Sequence, residues 1–256
     1  MTDIRVAVST VIITVRPAPT TPRPIVLPLV KRTRAPFEGA WALPGGWLRP
    51  DEALDAAARR TLAETTGLDP TYLEQLYAFG DPQRSPDGRV VSIVYWALLR
   101  AEEVRRQQLE HERAGDAPEN VAWFSAAELP ALAFDHAHIV DYALWRLRNK
   151  VGYSRIAHGL LAEEFTLAEL REASEAILGH TLDAANFRRQ AEASGTLVPT
   201  ERFRTGSHRP ARLFRLDPAV ELADRGPLAP EATGLTAGIQ IPSATLSDDR
   251  SNREPR

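Results

Sequence analysis

The sequence predicts an α+β chain of two domains, and three observations carry that expectation. At 256 residues it exceeds the roughly 100 to 200 residues of one ordinary domain. Strand-like β-branched runs alternate with helical repeats as far as residue 150, then give way to short helices and a hairpin. Arginine is concentrated in one late stretch. The expected division is residues 1–150, residues 151–216, and a tail over 217–256.

In the first part, Val6 to Val15 is a β-branched run fit for a buried strand and Ile25 to Val30 is a second, joined through the proline-containing Arg16 to Pro24. Gly45 and Gly46 read as a turn. Asp51 opens a helical pattern in which Leu54, Ala58 and Leu62 recur every four residues, and Gly67 is placed to end it. Gln75 to Phe79 and Val90 to Leu99 are further strands, joined by a Gly80 to Gly88 turn that carries Arg84 near its tip. Ala101 to Asp116 is a solvated charged helix or loop, Val121 to Phe124 a short strand, and Ser125 with Glu128 a cap for a brief helix. Ile139, Tyr142 or Ala143, Leu144 and Leu147 then give Asp135 to Lys150 the spacing of a long helix.

From Tyr153 the elements shorten. Thr166 and Glu169 have capping-box spacing before a helix to Leu178, a turn follows through Thr181, and Asp183 caps a third helix that stops at Gly195. Leu197 to Phe203 and Ala211 to Leu216 form a hairpin around a basic tip. The tail has scattered Pro, Gly, Ser and Asp without periodicity, so it is expected to be disordered.

Composition excludes several classes. Hydrophobic residues make up 43% and charged residues 25%, and no apolar run approaches the roughly 20 residues of a membrane span. No membrane partner is expected. The chain has no cysteine, which removes disulfide and zinc–thiolate chemistry, and its N-terminus lacks a secretory signal. A cytoplasmic location is the expectation. Residues 1–150 hold 18 Lys and Arg against 19 Asp and Glu. Between Asn186 and Leu216, by contrast, Arg188, Arg189, Arg202, Arg204, Arg209, Arg212 and Arg215 face only Glu192 and Glu201. That local excess is where a polyanion would land.

Gly46, Glu52, Arg60, Leu62, Glu64, Gly67 and Leu68 fall at the spacing of the Nudix box, and the approach from Phe37 through Trp41 to Gly45 and Gly46 is similar to that of Nudix enzymes acting on ADP-ribose. The resemblance implies an α/β/α sandwich with a mixed sheet. It also implies a magnesium-binding carboxylate cluster, and there the sequence departs: Thr61 and Thr65 stand where the family has glutamate. Positions 61, 64 and 65 share an arc of about 100° on a helix, and only Glu64 is charged. A hydroxyl cannot replace an anionic ligand, so at most a weak, substrate-dependent magnesium is expected at Glu64 and no metal site or catalytic residue is assigned. Glu52 lies twelve residues before Glu64, about 18 Å along a helix axis, and is expected to be unable to share an ion with it. The surviving Glu52 and Arg60 look like scaffold, and no cofactor is required. A pocket of this kind can still bind a nucleotide diphosphate; the candidate contacts are Arg32, Arg34, Phe37, Gly45, Gly46, Glu64, Arg84 and Arg89.

In the second part, Phe187 and Ala191 face a core while Asn186, Arg189 and Gln190 share a face able to read base edges. With the turn before and the hairpin after, this is a winged helix-turn-helix. The expected DNA contacts are Thr181 on the turn, Asn186, Arg188, Arg189 and Gln190 on the helix, and Arg204, Thr205, His208, Arg209 and Arg212 on the hairpin.

A degenerate Nudix domain followed by Phe165-Thr166-Leu167, Asn186-Phe187-Arg188-Arg189 and Arg209-Pro210-Ala211 resembles the Nudix-related transcriptional regulators of NAD metabolism, over about residues 5 to 216. That likeness implies a homodimer, ADP-ribose or a related nucleotide as effector, and double-stranded DNA with a pseudo-palindromic operator as partner. The alternative reading is a working ADP-ribose pyrophosphatase with an accessory domain.

Overall fold

β1 (Arg5–Val15) is the centre of the sheet, and its neighbours explain its composition. It runs parallel to β6 (Val90–Leu98) and antiparallel to β2 (Ile25–Lys31). A strand flanked on both edges and covered on both faces needs a near-continuous apolar run, and residues Val8 to Ile13 are all buried. The chain is described here from a computed structural model over residues 3–16, 22–70, 73–151, 156–205 and 210–217. It divides into two units, residues 1–222 and 223–256; the described residues all lie in the first.

The seven-stranded mixed sheet has the order β3 (Trp41–Ala42), β2, β1, β6, β5 (Glu74–Phe79), with β4 (Gly45–Trp47) paired to β1 and β7 (Val121–Ser125) paired to β2. Alternation splits the core. Val11 and Ile13 pack with Val94, Trp96 and the helix α3 (His136–Val151), whereas Val8 and Ile12 pack on the other face with α1 (Leu54–Thr66) and the start of α2 (Ala101–Ala114). The result is an α/β/α sandwich.

Three local expectations change. Gly45 and Gly46 do not form a turn; they are the strand β4, in register with Ser9 and Val8. Glycine is needed because a Cβ at Gly45 would sit 2.4 Å from the Val8 carbonyl oxygen. The helix begins at Leu54 rather than Asp51, with Ala53 at its N-cap and no side-chain cap. Ser125 and Glu128 make only a turn, with Glu128 N donating to Ser125 O at 3.0 Å. Gly67 ends α1 in the left-handed conformation, φ 68°.

After a 3₁₀ turn (Ile156–Leu160), α4 (Leu167–Leu178) starts at a complete capping box between Thr166 and Glu169, and α5 (Ala184–Ala193) starts where Asp183 accepts the Asn186 N–H at 2.8 Å. β8 (Leu197–Arg204) and β9 (Ala211–Leu216) form the antiparallel wing. Leu170, Ala173 and Ile177 of α4 belong to the same buried cluster as Ile139, Ala143 and Leu147 of α3. The expected disordered tail lies, from residue 218, outside the described residues. Among the described residues no helix is long and apolar enough to cross a membrane.

Gly45→Ala is expected to lower stability by about 1 to 3 kcal/mol, because the new methyl meets main chain that cannot swing aside. Urea unfolding would show a lower midpoint at unchanged slope; an unchanged midpoint would rule the close approach out.

Candidate ligand cleft and nucleic-acid interface

The box is held by one arginine. Arg60 Nε donates to Glu52 Oε2 at 2.8 Å and its Nη1 to Glu64 Oε2 at 3.0 Å, while Nη2 reaches the Trp47 carbonyl at 3.1 Å. The bonds to Arg60 hold the Glu52 carboxyl down to about 2 and push the guanidinium up in turn. Glu52 precedes the helix and folds back on it. The expected 18 Å separation is therefore corrected: Glu52 and Glu64 grip the same guanidinium, and that group is a cation already.

Positions 61, 64 and 65 do not converge on a metal. Thr61 is buried, its methyl lying where a Cβ on Gly46 would come within 2.9 Å, and its hydroxyl donates to Ala58 O at 3.3 Å. The Thr65 hydroxyl donates to Thr61 O at 2.6 Å. Glu64 is shared by Arg60 and, at 3.4 Å, by Arg49. A divalent cation would have to displace two guanidinium groups for one carboxylate, so the residues present do not fit the family's magnesium. No group of three potential metal ligands occurs among the described residues.

A cleft of about 240 Å³ opens beside the box, lined by Lys31, Arg32, Arg34, Leu43, Gly45, Thr65 and Asn120 among others. A larger one, about 390 Å³, lies between Thr14, Val26, Arg105 and Trp123 and contains no box residue; the smaller is the candidate site on that ground. The expected contacts separate into those it gathers and those it does not. Arg32, Arg34 and Gly45 line it. Gly46 packs on Thr61 and Glu64 faces the two arginines. Arg84 is not at an exposed tip: it is buried and holds Asp135 through two bonds of 2.9 and 2.7 Å. Arg89 closes its own turn, donating to Gly80 O at 2.6 Å.

Arg32 also shapes the wall. It donates to Pro36 O at 2.8 Å and Arg34 O at 3.3 Å, and its guanidinium lies 4.7 Å over the Phe134 ring. Burial lowers its pKa, against the pull of Asp87. Phe37, half exposed, meets Phe134 edge to face at 4.9 Å. The sequence reading missed His136 and Asn120. His136 Nδ1 accepts the Leu43 N–H at 2.9 Å, and Asn120 donates to Lys31 O at 3.1 Å. Neither lies in a motif, and no local signal marks them.

In the second part α5 turns Phe187 and Ala191 inward and exposes Asn186, Arg188, Arg189 and Gln190. Arg189 donates to Asn186 Oδ1 at 2.9 Å, which orients both along one face, while Arg188 pairs with Glu192 at 3.0 Å. Thr181 and Thr205 are exposed. Two expected phosphate contacts are already occupied. Arg204 pairs with Glu169, the capping-box acid, and Arg212 donates to Thr200 O at 2.9 Å and to Glu201 at 3.3 Å. His208 and Arg209 lie outside the described residues.

The NUDIX domain model matches residues 5–143, and a model described as the NrtR DNA-binding winged helix domain matches residues 157–216. The chain belongs to the NrtR family. The ADPR responsive transcriptional repressor NtrR of Acinetobacter baylyi is 39% identical over 191 residues, 73% of this chain and 74% of that protein. The crystal structure of Shewanella oneidensis NrtR complexed with a 27mer DNA superposes with a TM-score of 0.71 at 34% identity, covering 83% of this chain and 94% of that one. An ADP-ribose pyrophosphatase of Methanocaldococcus jannaschii is 37% identical over 119 residues, 46% of this chain and 66% of that enzyme. For an NrtR-family chain, a box whose Glu64 is held by Arg60 and Arg49 and an exposed Asn186–Gln190 face are the two features to explain together.

His136 gives the cleft a pH signature. Burial, helped by Arg84 and Arg32 and opposed by Asp135, lowers it from 6.5 to about 4. The folded chain refuses a proton that the unfolded chain accepts near pH 6.5, so stability is full above that value and falls as pH drops towards 4, by about 3 kcal/mol. His136→Gln, which keeps an acceptor for Leu43 N–H, is expected to flatten the melting-temperature profile over that window; an equally steep profile would show that another group titrates.

Proposed function

We propose that this chain is an ADP-ribose-responsive transcriptional repressor of NAD biosynthesis or salvage genes, in which residues 1–150 sense the nucleotide and residues 151–216 read the operator. The observation that carries the reading is the pairing of an exposed Asn186–Arg189–Gln190 face on α5 with a box whose Glu64 is neutralised by Arg60 and Arg49. Arginine and asparagine side chains oriented along a helix suit purine edges in a major groove. A cleft without a carboxylate cluster retains arginines and backbone N–H groups for a diphosphate but nothing to assemble the two-metal clamp of hydrolysis. The name of the Acinetobacter relative points the same way.

The protein acts as a homodimer, because a pseudo-palindromic operator presents two half-sites about one helical turn apart to two copies of α5. It works in the cytoplasm on double-stranded DNA, without an obligatory cofactor. ADP-ribose favours a spacing of the two readers that does not match the operator. Moving occupancy from nearly full to nearly empty requires roughly a 10⁴-fold difference in ligand affinity between the two states, about 5.5 kcal/mol.

The rival reading, a pyrophosphatase with an accessory domain, draws on the Methanocaldococcus relative. Magnesium-dependent hydrolysis of ADP-ribose by the full chain separates the two: no turnover above background is expected, and rapid turnover would favour the enzyme. In gel shifts with the upstream region of neighbouring NAD genes, Arg189→Ala is expected to reduce discrimination between operator and mismatched duplex by about 5- to 150-fold while leaving non-specific binding nearly intact. A uniform loss on all DNA would instead make Arg189 a phosphate contact.

A further inference from the structure

Among the described residues only two other than glycine have a left-handed backbone, Phe37 at φ 61° and Phe134 at φ 57°. For a bulky side chain that conformation is unfavourable and persists only where the surroundings over-determine it; such residues gather at ligand clamps. Here the two strained residues touch each other, ring to ring, at 4.9 Å. Neither ring lines the cleft itself; Arg32 connects them to it. Arg32, which lines the cleft, covers Phe134, and Phe134 in turn leans on His136 at 5.3 Å, which fixes the cleft residue Leu43.

The Phe37 carbonyl accepts the Ala40 N–H at 3.1 Å, but the loop does not need the Phe37 ring for closure. Arg32 N donates to Ala40 O and Gly39 N to Arg32 O, both at 2.9 Å, and the Arg32 side chain ties down Pro36 and Arg34. Apolar burial does not explain the ring either, since it stays 46% exposed while its partner Phe134 is turned into the wall. The cleft, moreover, is small. At about 240 Å³ it is below the roughly 300 to 1,000 Å³ of sites that enclose a whole ligand, so part of a dinucleotide-sized effector must rest against the rim. An aromatic face fixed in advance is what a base uses at little entropic cost.

We infer that Phe37 is the stacking platform for the nucleobase of the ligand whose diphosphate occupies the Arg32–Thr65 cleft. The inference rests on the ADP-ribose reading and assigns it a base subsite: Arg32 and Arg34 attend to phosphate, Phe37 to adenine. Any purine would stack, so Phe37 supplies the preference for a base-bearing ligand over a bare sugar phosphate.

The test titrates the full chain with etheno-ADP-ribose, whose fluorescence is quenched by stacking, and by calorimetry with ribose 5-phosphate, which has no base. Phe37→Ala is expected to weaken etheno-ADP-ribose binding by about 5- to 150-fold and abolish quenching while ribose 5-phosphate binds as before, and Phe37→Trp to restore both. Unchanged affinity and quenching in Phe37→Ala overturn the inference, as does an equal loss of both ligands. Should Phe37→Ala fail to melt cooperatively, Phe37→Leu makes the same comparison with the same outcomes. Failure of the unaltered chain to bind etheno-ADP-ribose is a separate result: it removes the ADP-ribose reading and this subsite with it.

Discussion

Ile139, Ala143 and Leu147 on α3 share one buried cluster with Val11, Ile13 and Trp96 of the sheet and with Leu170, Ala173 and Ile177 of α4. This shared burial is the constraint on which the remaining architecture depends. A fully buried leucine or isoleucine contributes about 1.5 to 3 kcal/mol, so pulling the winged helix away from the sheet would expose several such side chains at once. The Arg23–Glu172 ion pair at 2.7 Å adds little, both partners being roughly a third exposed. A regulated swing of about 5.5 kcal/mol equals only two or three of those apolar contacts. Small shifts of α4 on α3 are therefore within a ligand's reach, and wholesale separation is not.

The box is held together by its own charges. In this sequence the brace of Glu52 on Arg60 survives, together with the glycine that admits β4 beside β1 and the glycine that ends α1. At positions 61 and 65 the hydroxyls turn to helix carbonyls, where threonine settles when no ligand competes. Glu64 then closes the Arg60 and Arg49 charges. Charge is compensated within the box, and its strand–helix geometry shapes the cleft wall.

Local pattern made much of this readable. The β-branched run of β1, the four-residue repeat of Ala58 and Leu62, the Thr166–Glu169 box and the inward pair Phe187 and Ala191 each depend on neighbours within a few residues, and periodicity reports such neighbours faithfully. What escaped depends on partners far along the chain. Arg84 looked like the tip of an exposed turn because Asp135, its bidentate partner, is 51 residues away. Glu52 reads as remote from Glu64 because the helical pattern extends through it, whereas the helix starts at Leu54 and Glu52 folds back onto Arg60. His136, Asn120 and the Arg204–Glu169 pair were invisible for the same reason: long-range pairing has no period.

Those long-range pairs share a location. Arg84 grips Asp135 immediately before α3, and His136 in the first turn of α3 holds Leu43 on the cleft wall, while Phe134 just upstream carries Arg32 and Phe37. These contacts bear on the start of one helix, and that helix shares a buried apolar cluster with α4. A displacement of Leu43 would strain its bond to the buried His136 or shift α3. Interior packing is close to crystalline density and transmits such displacements rather than absorbing them. The helix α3 is thus pinned at its start by polar pairs and along its length by apolar contacts, so the packing that fixes the cleft wall and the packing that seats α4 share one element.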